Sequence, residues 1–244
     1  MSHHIIEVRN LSFTYPGGVE ALSGISFRIT HGESVALVGA NGAGKSTLLL
    51  HLNGCLLPTT GKVSIGGVPL TRKNITAARR AVGTVFQDSD DQLFMPTVLE
   101  DVAFGLLNAG VPAVEAELRS RASLARVGME HLKDRPPYRL SAGEKRAVSI
   151  AIVLAMESDI LVMDEPSSHL DPRGRRRLIE MLKGFTHTKI IATHDLELVL
   201  ELCRRVIILD GGRMAADGPA ERLLADETLM EAHGLEKPWS LRKS

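Results

Sequence analysis

Cysteine is scarce in this chain of 244 residues: Cys55 and Cys203 are the two it has, far apart, with no CxxC pair and no histidine spacing suited to zinc. That excludes a disulfide framework and reads as two thiols in a reducing compartment, the cytosol. A chain of this length buries about 70–75% of the surface its unfolded form exposes, so it needs no such staples. Charge of one sign is lacking too, since Lys+Arg and Asp+Glu each number 29. Without a basic excess, nucleic acid is excluded as a main partner, and so is simple adhesion to anionic lipid. Long apolar runs are missing. The longest, residues 147–156, is about half a membrane span and carries Ser149. No basic segment followed by an apolar stretch opens residues 1–7, and no repeat or low-complexity tract follows. Any work at a membrane must pass through another subunit.

What is present alternates. Residues 5–13 and 25–29 read as strands around the turn Tyr15-Pro16-Gly17-Gly18. Residues 34–38 form a short apolar strand that runs into Gly39, and residues 45–53 carry helical periodicity that Gly54 ends. Further strands are expected at 62–65 and 82–86. From 88 to 156 the pattern turns helical, with helices at 97–107, 112–127 and 142–156 and Pro136-Pro137 interrupting before the last. Strands at 160–163, 189–193 and 206–209 then alternate with helices at 172–183 and 195–203. Such alternation implies βαβ crossovers and a parallel sheet covered on both faces. The tail, 239–244, reads as frayed.

Gly39-Ala40-Asn41-Gly42-Ala43-Gly44-Lys45-Ser46, followed by Thr47, fits the GxxxxGK[ST] phosphate loop in its required place between a strand and a helix. Glycines let successive backbone N–H groups point into one concavity, and the positive end of the following helix adds to it. Lys45 reaches for the β- and γ-phosphates, and the Ser46 hydroxyl for Mg²⁺. The apolar strand after Asp159 ends in Asp164-Glu165. Side chains alternate along a strand, so these two carboxylates need not share a job. Asp164 assists Mg²⁺, and Glu165 holds and polarises the attacking water, as general base or as orienting acceptor. About a hundred residues after the phosphate loop comes a second glycine-containing, helix-opening stretch, Leu140-Ser141-Ala142-Gly143-Glu144. One nucleotide cannot easily use both surfaces of one chain, so the pair points to a dimer closing around ATP.

In this order the motifs resemble those of the ATP-binding cassette ATPases, over nearly the whole chain. The resemblance implies an α/β P-loop NTPase fold with an N-terminal antiparallel β subdomain and an inserted helical subdomain. It divides the single domain 1–244 into a core at about 1–87 and 158–224, a helical part at about 88–157, and a C-terminal helical segment at about 225–244. It further implies that Tyr15 stacks on adenine and that Gln87 completes the Mg²⁺ shell beside Ser46 and Asp164. His194 would contact the γ-phosphate and the water, while Ser141, Gly143 and Glu144 reach the nucleotide of the partner chain. Ser168, Leu170 and Asp171 would run along the dimer contact. Ala142 and Glu144 depart from the usual LSGGQ, and Ser-Ser-His at 167–169 departs from Thr-Ser-Gly. Ala142 suggests an ordinary backbone there, whereas Glu144 either weakens closure or faces the ribose.

Asp90-Asp91-Gln92-Leu93-Phe94, followed by Val102-Ala103-Phe104-Gly105, looks like the ATPase subunits of energy-coupling-factor importers. With Leu107-Asn108-Ala109-Gly110 and Ala232-His233-Gly234-Leu235 it is most similar to their cobalt and nickel branch. That implies a homodimer on the cytoplasmic face of the membrane, a transmembrane coupling subunit and a membrane subunit that binds the cargo. Alternatives are a vitamin or other small-molecule importer, and a soluble non-transport ATPase or regulatory ATP switch. Cofactors are ATP and Mg²⁺, the one metal expected on this chain. His3, His4, His31, His51, His131, His187 and His233 receive no chemistry, and the basic helix start Arg173, Arg175, Arg176, Arg177 reads as a solvated face.

Overall fold

The computed structural model describes residues 4–242; His3 and the last two tail residues lie outside them. In chain order come β1 (His4–Thr14), β2 (Glu20–Thr30), β3 (Ser34–Val38), α1 (Lys45–Leu52), β4 (Thr60–Ile65), β5 (Val68–Pro69), α2 (Ile75–Ala81) and β6 (Val82–Val85). Three helices follow: α3 (Val98–Asn108), α4 (Ala113–Arg126) and α5 (Ala142–Ala155). Then come β7 (Ile160–Asp164), α6 (Pro172–Lys183), β8 (Thr188–Ala192), α7 (Leu196–Leu202), β9 (Arg205–Asp210) and β10 (Arg213–Pro219). Helices α8 (Ala220–Ala225) and α9 (Glu227–Ala232) close the chain.

Two sheets result, one antiparallel in the order β2-β1-β4-β5 and one in the order β10-β9-β3-β8-β7-β6. The core strands are apolar on both faces, and their period-two alternation sorts side chains into two layers. Val35, Leu37, Ile160, Val162, Ile207 and Leu209 pack toward the antiparallel sheet with Leu48 of α1. Ala36, Val38, Leu161, Met163, Val206 and Ile208 pack on the other face, with α6, α7 and the helices α3–α5. The short parallel strands thus end together, which places the loops after β3, β7 and β8 side by side.

Three readings of the sequence need correction. The core sheet is not wholly parallel, because β10 joins β9 antiparallel. That edge strand is largely exposed and lacks the apolar run that marks the others. The C-terminal segment begins at residue 220 and is two helices, with Asp226 ending one and capping the next by accepting from Leu229 N. Trp239–Leu241 forms a 3-10 turn, and Ser240 donates from its N (2.9 Å) and Oγ (2.7 Å) to Glu197. The tail is therefore anchored at that point.

One charged cluster ties the sheets together. Arg205 of β9 donates to Glu33 (2.9 Å), to both oxygens of Asp217 (2.6 and 2.7 Å) and to Arg28 O (2.8 Å). Burial pushes the Glu33 carboxyl up, but the Thr30 N–H and the Arg205 guanidinium outweigh it and hold it below its ordinary 4.5. A carboxyl lowered on folding stabilises above its unfolded value, and that contribution is lost as pH falls through the folded value. Glu33→Gln should therefore lower stability at pH 7 by about 1 kcal/mol, the half-exposed setting keeping it small. The difference from wild type should close below pH ~4.5. Urea midpoints against pH read this directly.

Candidate functional site

The loop after β3 closes under α1 with glycines where side chains cannot fit. At Gly39 a Cβ would lie 2.2 Å from Leu209 O, and at Gly44, with φ +100°, it would lie 2.8 Å from Ala21 O. Lys45 is buried and its Nζ donates to Gly39 O (2.7 Å) and Ala40 O (3.1 Å), so the ammonium is held inside the loop's curve. Residues Asn41 to Thr47 line a cleft of about 800 Å³ together with Tyr15, Gln87, Asp164, Glu165, Ser168 and His194. Tyr15 is anchored at its rim by a hydroxyl contact to Thr47 Oγ1 (3.1 Å) and by an edge-on contact with Phe13.

Asp164 is the last residue of β7 and Glu165 follows it, and both line this cleft. Burial pushes the Asp164 carboxyl above its ordinary value. The Glu165 charge adds to that rise, while the Ser46 hydroxyl, Lys45 and Arg146 oppose it. Its Oδ1 is buried without a hydrogen-bond partner. A desolvated carboxylate oxygen beside a serine hydroxyl and a glutamine is a hard-oxygen set that fits Mg²⁺. Glu165 is 7% exposed and sits at φ +44°, a left-handed backbone that costs a residue with a Cβ roughly 1–2 kcal/mol. Its Oε2 accepts from Thr193 Oγ1 (3.0 Å) and His194 N (3.3 Å), and His194 Nδ1 lies 2.8 Å away. A second carboxylate is thereby fixed at the cleft floor, with an exposed imidazole beside it.

A phosphate cradle, a carboxylate suited to a hard cation and a second carboxylate aimed at the same space form the working parts of an NTP hydrolase. The ABC transporter family model matches residues 22–168. The chain is a member of the ABC transporter family. An ABC transporter ATP-binding protein of Geobacter sulfurreducens is 59% identical over 99% of this chain and 97% of its own length. The energy-coupling factor transporter ATP-binding protein EcfA of Methanosphaera stadtmanae is 43% identical over 96% of this chain and 86% of its own. Among solved structures, cbiO1 of Clostridium perfringens, part of the ABC transporter complex cbiONQ, superposes with a TM-score of 0.82. It is 40% identical and covers 95% of this chain and 94% of that one. The chain is thus an ABC ATPase that binds and hydrolyses ATP as the nucleotide-binding subunit of a transporter. Among the described residues no helix is long and apolar enough to cross a membrane.

The ABC signature stretch stands apart from the phosphate loop. Ser141, Gly143 and Glu144 line another cavity with Leu170 and Asp171, and none of these five borders the cleft around Lys45. Ser141 caps α5, and Glu144 folds back so that its carboxylate accepts from Ser141 N (2.7 Å) and Oγ (2.8 Å). In this capping box the carboxylate is occupied within its own chain, an arrangement the sequence reading did not include. Those hydrogen bonds hold it below its ordinary value. Ala142 opens the helix with an ordinary backbone, as its presence suggested. At Gly143 an added Cβ would meet only Leu170 Cδ2 at 3.8 Å, so nothing in this chain requires the glycine. His169, standing where the family usually has glycine, sits at φ +61°. That conformation explains the usual glycine, and histidine is among the residues that enter it most readily. Ser168 Oγ donates to Glu165 O (2.8 Å), and Asp171 caps α6 by accepting from Gly174 N (2.7 Å).

Two residues escaped the sequence reading. Thr193 orients Glu165, and only its place at the end of β8 could have signalled it. Arg146 is 4% exposed and reaches from α5 across to Gln87 O (2.7 Å) and Phe86 O. It lies two residues past the signature stretch, where an arginine on an exposed helix would look like a solvated charge.

Proposed function

We propose that this ATPase drives a cobalt or nickel importer of the energy-coupling-factor type, working as a homodimer docked on a transmembrane subunit at the cytoplasmic face of the membrane. The dimer is carried by one observation: Ser141 and Gly143 line a neighbouring cavity and do not border the cleft around Lys45, and Gly143 has free space its own chain does not use. A second protomer, turned head-to-tail, would lay that surface on the exposed side of the nucleotide. Within each cleft, Lys45 and the loop amides would hold the triphosphate, Tyr15 would stack on the adenine, and Ser46, Asp164 and Gln87 would hold Mg²⁺. Bound there, Mg²⁺ would neutralise charge on the β- and γ-phosphates. Glu165, fixed by Thr193, would accept a hydrogen bond from the attacking water, with His194 beside the γ-phosphate. Ser168, Leu170 and Asp171 would follow the dimer contact.

Docking is supported by the surface beyond Gln87. Phe94 is 62% exposed and packs edge-on against Phe104 at 5.0 Å, next to the acidic loop holding Asp88, Asp90 and Asp91. An apolar ledge beside carboxylates suits a basic amphipathic helix of a membrane subunit. The energy-coupling-factor and cbiONQ assignments of the relatives support the transporter type. The residues at 90–94, 102–105, 107–110 and 232–235 support the metal cargo.

Two measurements test this. Gly143→Asp places a carboxylate in the first turn of α5, where the helix dipole favours it. The fold should keep its melting temperature while turnover falls about 100-fold or more, through repulsion of the partner's nucleotide. Unchanged turnover would remove the head-to-tail dimer. For cargo, the chain reconstituted with its membrane subunits in vesicles should take up labelled Co²⁺ or Ni²⁺ on addition of ATP. Uptake of a vitamin with neither metal entering would make this a vitamin importer.

A further inference from the structure

We propose that His31, His187 and Asp159 form a binding site for one divalent transition-metal ion of the Co²⁺, Ni²⁺ or Zn²⁺ kind, where β7 and β8 begin, at the end of the core sheet away from the nucleotide cleft. The three donate one ligand atom each, and these atoms lie within 4.8 Å of one another. All three side chains are exposed. Around a bound ion, imidazole nitrogens and carboxylate oxygens sit about 2.0–2.2 Å from the metal and hence roughly 3–3.5 Å apart. Rotations that move each donor by about an ångström would close the set.

The backbone brings these residues together for reasons of fold, although they are remote in sequence. Asp159 immediately precedes β7 and His187 immediately precedes β8, and these strands pair in parallel with Ile160 opposite Thr188. His31 lies in the turn from β2 to β3. That turn is pinned to the start of β8: Gly32 N donates to Thr188 Oγ1 (3.0 Å) and Lys189 N donates to Glu33 O (3.0 Å). Thr188 is fully buried, so the pin is rigid. The His187 ring is further set by the buried Phe185, 5.3 Å between centroids, and faces the His31 ring edge-on at 6.2 Å.

Donor chemistry selects the ion. Two imidazoles and one carboxylate suit late first-row divalent ions, with remaining positions left to water. Mg²⁺ prefers an all-oxygen octahedron, so this site is distinct from the one at Ser46 and Asp164 in chemistry as well as place. Glu165 and His194 stand at the far ends of β7 and β8, one strand length away. An ion here would tie the β2–β3 turn of the antiparallel sheet to the core sheet. The inference does not depend on what the transporter carries.

The test is calorimetric titration of the full chain, without an affinity tag, with Ni²⁺, Co²⁺ and Zn²⁺ in the presence of excess Mg²⁺. One equivalent should bind, Ni²⁺ more tightly than Co²⁺, and Co²⁺ should develop visible d–d absorption on binding. His31→Ala and His187→Ala should each weaken binding by about tenfold or more, since loss of even an outer partner of a ligand costs that much. Asp159→Asn should weaken it less, and His131→Ala, an exposed histidine elsewhere, should leave it unchanged. The ion should raise the melting temperature of wild type and of His131→Ala alike, that of Asp159→Asn by less, and those of His31→Ala and His187→Ala least. Two results would overturn the proposal: no binding by wild type at sub-millimolar metal, or binding that survives both His31→Ala and His187→Ala.

Discussion

Glu165→Gln should cut ATP turnover about 10²–10⁴-fold while leaving nucleotide affinity close to wild type. Glutamine keeps the shape, and its Oε1 can still accept from Thr193 Oγ1 and His194 N, which hold Glu165 at 3.0 and 3.3 Å. The left-handed backbone at this position is carried equally by both residues, so the fold does not relax. What disappears is the negative charge that a water molecule would lean on, with His194 Nδ1 2.8 Å from the same oxygen. Lys45 and the loop amides, which hold the phosphates, are untouched. Phosphate release measured beside binding of a fluorescent ATP analogue separates the two effects. A variant that turns over within a few-fold of wild type would remove Glu165 from the chemistry.

The legible parts of this molecule were those in which a local pattern carries the physics. β3 and α6 fall on residues 34–38 and 172–183 as expected, because each is bounded by its own signals. The glycine-rich loop runs out of the one, and Asp171 with Pro172 opens the other. The phosphate loop was readable because backbone geometry there demands glycine in a fixed pattern. β10 was not, since an exposed edge strand is held by backbone pairing to β9 and needs no apolar alternation. Glu144 was legible as a departure from a motif, yet its capping box with Ser141 was overlooked, although Ser-x-x-Glu before an apolar run is itself a local signal. His31 and His187 were beyond reach: only the register of β7, β8 and the β2–β3 turn joins them. Sequence spacing reports ligands that share a helix or a loop, and these share neither.

Arg146 belongs with the residues that only the fold reveals, and its removal should be the most damaging change outside the cleft. Burial pulls its guanidinium below its ordinary value, and the charges of Asp88 and Asp164 oppose that. The cation persists because it caps the carbonyls of Phe86 and Gln87, where β6 gives way to the loop that carries Gln87 to the cleft. Arg146→Met keeps the apolar stem but removes two hydrogen bonds from a charged donor to part-buried carbonyls, at about 1–3 kcal/mol each. The expected loss is therefore about 2–5 kcal/mol of stability. Lysine retains the charge but presents no fork, so it should recover only part. Because the same bonds fix Gln87 relative to α5, turnover should fall by about tenfold or more at temperatures where the variant is still folded, since misplacing a group by an ångström costs that and more. Urea midpoints and phosphate release on the wild type, Arg146→Met and Arg146→Lys give both readings. Wild-type turnover in a destabilised Arg146→Met would confine Arg146 to holding the fold, with no part in setting Gln87.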